Sequence, residues 1–445
     1  MTVRGKDGRK IIVGAGVAGL TLAERLCASG CREVTVLERE DAPGGLARTF
    51  QREGFRFDIG PHRFHTSDPA VQSYLLEILG SEITAIPRSS SVYLSGRYQD
   101  WPLSLGGVSR LPLRMLLPSF IDLLRVRRNV TPASFAEHIT ARYGRNLYRF
   151  FFSGYTRKFT GLDGASLHTD WAAAGVDRAV IDKKVKADSL LSLARGLLFP
   201  SPVRTTFIYP ESGGIQRFAD LLTERIESRG GEVLTSREVL EPIVDGGSVR
   251  GVRMRDGEEI EASEVYWSAP LPLAFPGLEL SFIDTIVYNV AMRNRTRNTY
   301  QWCYFGEPDI AFSRLSVPRN FNESMVPHGG DSLVAEVTCP EGDPLWESPS
   351  SFIPRIMEDL DRVGAADPSD ILFIFPEKVR QSYPIYTLDY KERLAEIRPP
   401  EGLRLLGRCG TFWYNNMDHS ISQGLAMAGG GDVPRDFWKA PVKTR

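Results

Sequence analysis

The stretch Ile11-Ile12-Val13-Gly14-Ala15-Gly16-Val17-Ala18-Gly19-Leu20, followed by Val34-Thr35-Val36-Leu37-Glu38, decides the fold. It reads as a buried strand, a glycine loop, a helix, and a second strand ending in an acid. In such a unit Gly14 lets the backbone turn sharply, Gly16 clears room for a pyrophosphate, and Gly19 lets the helix pack close to the strand. The unpaired N–H groups at the helix start then face phosphate oxygens, and Glu38 stands where a carboxylate meets ribose hydroxyls. An isolated G-x-G-x-x-G is weak evidence; here the whole unit is present at the right spacing.

Which dinucleotide is meant follows from the next residues. A second glycine pair, Gly44-Gly45, precedes Arg48-Thr49, and Gly60-Pro61-His62 lies beyond it. Simple NAD enzymes have no need of this extension. Backbone amides and a guanidinium placed there suit a ligand that continues past its pyrophosphate, which favours FAD.

With 445 residues the chain is too long for one small core, so two intertwined domains are expected. Composition is 42% hydrophobic and 24% charged, and 54 Lys and Arg against 55 Asp and Glu give a net charge of -1. No global basic field exists to draw in nucleic acid. Five cysteines without a C-x-x-C pair argue against a disulfide framework or a structural zinc site, and a reducing cytoplasm fits. No apolar run approaches the ~20 residues of a membrane span. The apolar segment 111–128, with basic ends, reads either as a buried helix or as a peripheral membrane contact. His62-x-x-His65 has no Cys, Asp or Glu cluster nearby to complete a metal site, so no metal is expected.

The fold class expected is α/β. A Rossmann-type FAD-binding domain with a β-meander is assigned to residues 1–66, 204–275 and 395–432. A discontinuous α+β substrate domain, a mixed sheet with a helical cap, is assigned to 67–203 and 276–394. From Thr66 to about Arg204 the pattern is mainly helical, with apolar residues three and four apart in 71–79, 134–142 and 147–152. Short strands split by Asp245-Gly246-Gly247 and Asp256-Gly257 form the meander, strands near 286–292, 333–338 and 371–375 form the second sheet, and a helix falls near 351–363.

Four ordered motifs carry a resemblance. Gly60-Pro61-His62-Arg63-Phe64-His65-Thr66, Gly154-Tyr155-Thr156-Arg157-Lys158, Tyr383-Pro384-Ile385, and Gly407-Arg408-Cys409-Gly410-Thr411-Phe412-Trp413-Tyr414-Asn415-Asn416-Met417-Asp418 resemble motifs of the UDP-galactopyranose mutases. Those enzymes form a branch of the FAD-containing amine-oxidase and protoporphyrinogen-oxidase superfamily. The resemblance implies that Val239 offers its backbone to adenine and that Gly407, Arg408, Asn416, Met417 and Asp418 set the last helix against the flavin. It also implies that His62 and His65 lie near the flavin ring and that Tyr155, Tyr383 and Tyr414 face the substrate. His65, the three tyrosines and Asn416 are the catalytic candidates.

Two positions depart from that pattern. Lys158-Phe159-Thr160 lacks the family tryptophan, and Leu280-Ser281-Phe282-Ile283-Asp284 has isoleucine where an arginine is expected. The insertion 176–206 also resembles the oxidase side of the superfamily. Arg178, Arg293, Arg295, Arg297 and Arg380 are candidates for a replacement phosphate clamp. The expectation is a cytoplasmic flavoenzyme acting on a nucleotide-activated sugar, mutase-type, with FAD reduced and NAD(P)H as a candidate external reductant. The alternative is a flavin-dependent oxidoreductase that abstracts hydride from a small molecule.

Overall fold

Strand Lys10–Val13 is shielded on both faces and paired in parallel on both edges, which explains its uninterrupted apolar run. It is the centre of a five-stranded parallel sheet ordered Leu403–Leu405, Glu264–Trp267, Lys10–Val13, Val34–Leu37, Glu232–Leu234. The computed structural model describes residues 8–101, 118–119, 121–122, 131–173, 206–340 and 342–431. Helix Val17–Ala28 follows the glycine loop and is buried along nearly its whole length, because helices Gln216–Ser228 and Met417–Ala428 both pack on it. The antiparallel meander Val239–Asp245, Ser248–Met254, Glu259–Glu261 lies beside this sheet. This is the α/β arrangement expected above, a parallel Rossmann-type sheet with a β-meander beside it.

A second, seven-stranded sheet is ordered Ile371–Pro384, Phe282–Met292, Asp331–Cys339, Arg314–Ser316, Trp302–Phe305, Ser90–Leu94, Arg97–Asp100. Alternation along Phe282–Met292 divides its side chains between two faces. Ile286, Tyr288, Val290 and Met292 enter a core with Ile356 and Leu360 of helix Ile353–Arg362. Val287 and Ala291 point the other way, into the core that holds Phe57 and the first helix. This second face is the one that meets the nucleotide-binding unit.

The helical expectation for 66–204 is corrected by strands Ile83–Pro87, Ser90–Leu94 and Arg97–Asp100. Ser95 and Gly96, at φ 52° and 79°, make the two-residue turn that a tight hairpin requires. Helices Pro69–Leu79 and Phe135–Tyr143 stand where the periodicity puts them, and a π-helical turn covers Tyr148–Ser153. The segment 111–128 falls mostly outside the described residues, and 176–205 with Arg178 falls wholly outside them. No helix among the described residues is long and apolar enough to cross a membrane.

Asp58 fastens the hairpin Thr49–Arg52/Phe55–Asp58 to its surroundings. Its carboxylate accepts from Thr49 Oγ1 at 2.7 Å, Tyr209 Oη at 2.6 Å and the Ile215 N–H at 3.2 Å. Burial pushes its carboxyl up to about 6, against the pull of those hydrogen bonds. A carboxyl raised in the folded state binds its proton more tightly there than when unfolded, so stability falls as pH rises from about 4 to about 6. Urea midpoints measured across that window should lose a contribution on the order of 2–3 kcal/mol, and Asp58→Asn should flatten the slope.

Candidate functional site

All five parallel strands end on one edge, and the glycine loop, Glu38, Ser268 and Gly407 meet there. Gly14 has φ +97°, and a Cβ on it would lie 2.5 Å from Ser268 Oγ, the hydroxyl that donates to the Val13 carbonyl at 2.7 Å. A Cβ on Gly19 would stand 2.2 Å from the Gly14 carbonyl oxygen, so the helix seats on the strand only with glycine at that position. Gly16 differs: its backbone is extended at φ −74°, and a Cβ there would meet nothing within 4 Å. The close-approach loop therefore has open space above Gly16, the cradle a pyrophosphate needs.

Glu38 Oε2 accepts from the Ala15 N–H at 2.7 Å, and Oε1 accepts from the Glu40 N–H at 3.0 Å, which holds the carboxylate over the loop. Gly44 donates to the Ala15 carbonyl and bridges Gly16, so Gly44-Gly45 forms the facing wall. Arg48 lies behind it, with Nε buried and without a partner. Val239 begins the meander two residues after Arg237, whose N–H donates to the Glu38 carbonyl. The Thr49 hydroxyl donates to Asp58 and accepts from the Gln216 N–H, which ties the hairpin to the helix behind it.

Across the loop, Gly407 N–H donates to Gln423 Oε1 at 2.7 Å, and Asn416 caps helix Met417–Ala428 in a reciprocal box with His419. The uncapped amides at Met417 and Asp418 carry the positive end of that helix. Asn415 beside them has a buried Nδ2 without a partner. Open space over Gly16, orphaned donors at Arg48 and Asn415, and a helix N-terminus at the far end together fit a flavin dinucleotide.

The tyrosine cluster named from sequence is assembled by strand register. Glu336 pairs with Arg314, Arg314 with Tyr304, and Tyr304 with Val92, so Glu336, Arg314 and Tyr304 stand in one row on the face that meets the Gly60 loop. Arg314 and Glu336 form a two-point buried ion pair, and Arg314 Nη2 also donates to Tyr383 Oη at 3.0 Å. Tyr155 meets Tyr304 edge-on at 5.7 Å, Tyr383 meets Tyr414 at 4.9 Å, and Arg408 lies over both Tyr383 and Tyr414 at 5.3 and 5.2 Å. Arg408 is aimed by its donations to the carbonyls of Ser382 and Asn415. The three tyrosines named from sequence therefore come together. Burial raises Tyr155 and Tyr414 well above the usual phenol range, so both keep their protons and act as donors.

His62 lies against the same wall. Burial, with Arg408, Arg314 and Arg63 nearby, pushes its imidazole down to about 3, which leaves it neutral. His65 is exposed and meets the Phe207 ring in a T-shaped contact at 5.7 Å. Among the described residues no three or more His, Cys, Asp and Glu side chains are arranged to hold a metal.

Arg314, Glu336, Tyr304 and Trp171 escaped sequence reading. Trp171 packs on Phe159, Tyr386 and Tyr414 and so joins the tyrosine cluster. The proposed replacement arginines lie elsewhere. Arg293, Arg295 and Arg297 follow the far end of strand Phe282–Met292, roughly 30 Å from Ile283 at the usual strand rise. Arg295 pairs there with Glu323, and Arg380 lies over Trp346 in the opposite core. Lys158 spends its ammonium on the carbonyls of Phe305, Glu307 and Phe312. Thr160 donates to the Thr156 carbonyl, and Ile283 is buried with Tyr383.

Residues 17–274 match the family of flavin containing amine oxidoreductases. The chain belongs to that family. Membership supplies the flavin cofactor that the loop geometry fits. The chain is 23% identical over 400 residues to a zeta-carotene-forming phytoene desaturase of Myxococcus xanthus, covering 76% of the chain and 74% of the relative. It is 27% identical over 294 residues to a neurosporene-forming phytoene desaturase of Rhodobacter capsulatus, covering 59% of the chain and only 52% of that relative. A crystal structure of reduced UDP-galactopyranose mutase superposes with TM-score 0.82 at 22% identity, covering 95% of this chain and 93% of that one.

Proposed function

We propose that this flavoenzyme performs mutase-type, non-redox chemistry on a nucleotide-activated or otherwise phosphorylated sugar, with FAD reduced. The observation that carries the reading is the convergence of Tyr155, Tyr383 and Tyr414 with Arg314 and Arg408. A hydrocarbon substrate has no use for this array of fixed donors, whereas a sugar diphosphate has hydroxyls and phosphate oxygens for all of them. When bound, the reduced flavin supplies a nucleophile for the anomeric carbon. The tyrosines orient the sugar as neutral donors, and the two guanidiniums stabilise the charge of an expelled phosphate. Asn416 and the amides of Met417 and Asp418 hold negative charge at the helix N-terminus.

Buried Thr160 and Ile283, in place of the mutase tryptophan and arginine, favour the second reading of hydride abstraction, as does the likeness to desaturases. One experiment separates the two. A mutase is silent with oxidised flavin, turns over sugar nucleotide after dithionite, and consumes no reductant per turnover; anaerobic bleaching of the flavin by substrate, matched to product, would exclude that chemistry. Tyr414→Phe should keep FAD bound and lower turnover by about tenfold to a hundredfold, the cost of a donor lost to a charged group. Flavin absorbance and steady-state rate measured on one preparation check both parts.

A further inference from the structure

The loop Gly60–Thr66 carries Arg63 onto the sheet face one register row from Arg314. Trp302 pairs with Ser316 as Tyr304 pairs with Arg314, so Trp302 and Tyr304 lie side by side on that face. Arg63 Cζ lies 4.8 Å from the Trp302 ring centre and 5.0 Å from that of Phe207, and Arg88 Cζ lies 5.8 Å from Trp302. Stacking of this kind fixes a guanidinium and leaves its N–H edge free.

What these groups lack, among the described residues, is an ion-pair partner. Arg63 donates from Nη1 to the Pro61 carbonyl, while its buried Nε has no partner. Arg88 has one long bond, Nε to Ser90 Oγ at 3.3 Å. The indole Nε1 of Trp302, a residue only 2% exposed, is likewise unpartnered. Among the described residues no carboxylate forms an ion pair with Arg63 or Arg88, whereas Arg314 beside them has Glu336. Burial, with Arg88 and Arg314 close by, pushes the Arg63 guanidinium down to about 10, while Tyr304 and Asp418 act the other way. Buried cations ordinarily have partners, and two held side by side without one form an incomplete pair that an anion completes.

We propose that Arg63 and Arg88, held against Trp302 beside Tyr304 and Arg314, form the anion-binding end of the substrate site and take a phosphate or diphosphate ester. The assignment replaces the clamp that Ile283 cannot provide, and it rests on the function proposed above only for the sugar attached to that phosphate. Tyr155, in contact with Tyr304, joins this end to the tyrosine pocket.

The test uses the FAD-loaded, oxidised protein, in which the flavin's own pyrophosphate site is filled and no turnover occurs. Inorganic pyrophosphate and UDP are titrated calorimetrically. Saturable binding is expected, weakened about tenfold or more by Arg63→Gln and by Arg88→Gln. The tighter of the two probes identifies the source of the phosphate. Flavin content should be unchanged in both variants, thermal midpoints equal or higher because an unpaired buried charge has been removed, and Arg295→Gln should leave binding as it was. Affinity insensitive to both substitutions overturns the proposal, as does a fall in thermal midpoint that tracks the loss of binding. A protein that binds pyrophosphate through these arginines but turns over no sugar nucleotide when reduced keeps the anion site and refutes only the mutase reading.

Discussion

Gly16→Val should yield a folded protein that purifies colourless. Any side chain at Gly14 or Gly19 collides with the fold itself, since Cβ atoms there would approach Ser268 Oγ at 2.5 Å and the Gly14 carbonyl at 2.2 Å. At Gly16 the backbone is extended and a Cβ meets no atom beyond the adjoining residues within 4 Å. The cost to folding is then limited to a poorer helix cap, about 1 kcal/mol. The cost to the cofactor is the whole approach of the pyrophosphate to the helix amides, so no FAD should remain bound. Flavin absorbance per polypeptide should fall to background while far-ultraviolet circular dichroism and the thermal transition of the apoprotein persist. Gly19→Val is the contrasting case and should fail to fold. A yellow Gly16→Val protein would remove the pyrophosphate from this loop.

That contrast shows how much of the fold could be read in advance. The nucleotide-binding unit was legible because each of its requirements acts over a few residues: a turn at Gly14, a close contact at Gly19, an acid after the second strand. The hairpin at 90–100 lies inside a segment whose pattern is mainly helical, and it escapes a local reading because its outer partner, Trp302–Phe305, lies some two hundred residues away. The candidate site divides in the same way. Tyr155, Tyr383 and Tyr414 stood out within motifs, and Arg63 was printed inside one of them without visible meaning. Arg314 and Glu336 carry no motif, since Arg314 opens a three-residue strand, Glu336 sits within an apolar one, and they meet only through the register of those two strands. Trp302 gives Arg63 its surroundings by the same kind of long-range pairing.

The Arg314–Glu336 pair is where breaking one contact should do most damage to the folded state. Its side chains are 12% and 4% exposed, and Gly60 lies so close that a Cβ on it would come within 3.0 Å of both. Glu336→Ala leaves a guanidinium buried beside Arg63 and His62 with no counter-charge, and about 3–5 kcal/mol of stability should be lost. The double variant Arg314→Met with Glu336→Leu removes both charges and should recover most of that loss, because a buried ion pair rarely outperforms well-packed hydrocarbon. Turnover should not recover with it. Arg314 Nη2 is the group that holds Tyr383 Oη at 3.0 Å, and methionine offers no donor to replace it. Denaturant midpoints with saturating FAD should therefore separate from rates: both low in Glu336→Ala, stability restored and rate still low in the double variant. Recovery of both would mean that the pair serves only the fold and that Tyr383 positions itself without it.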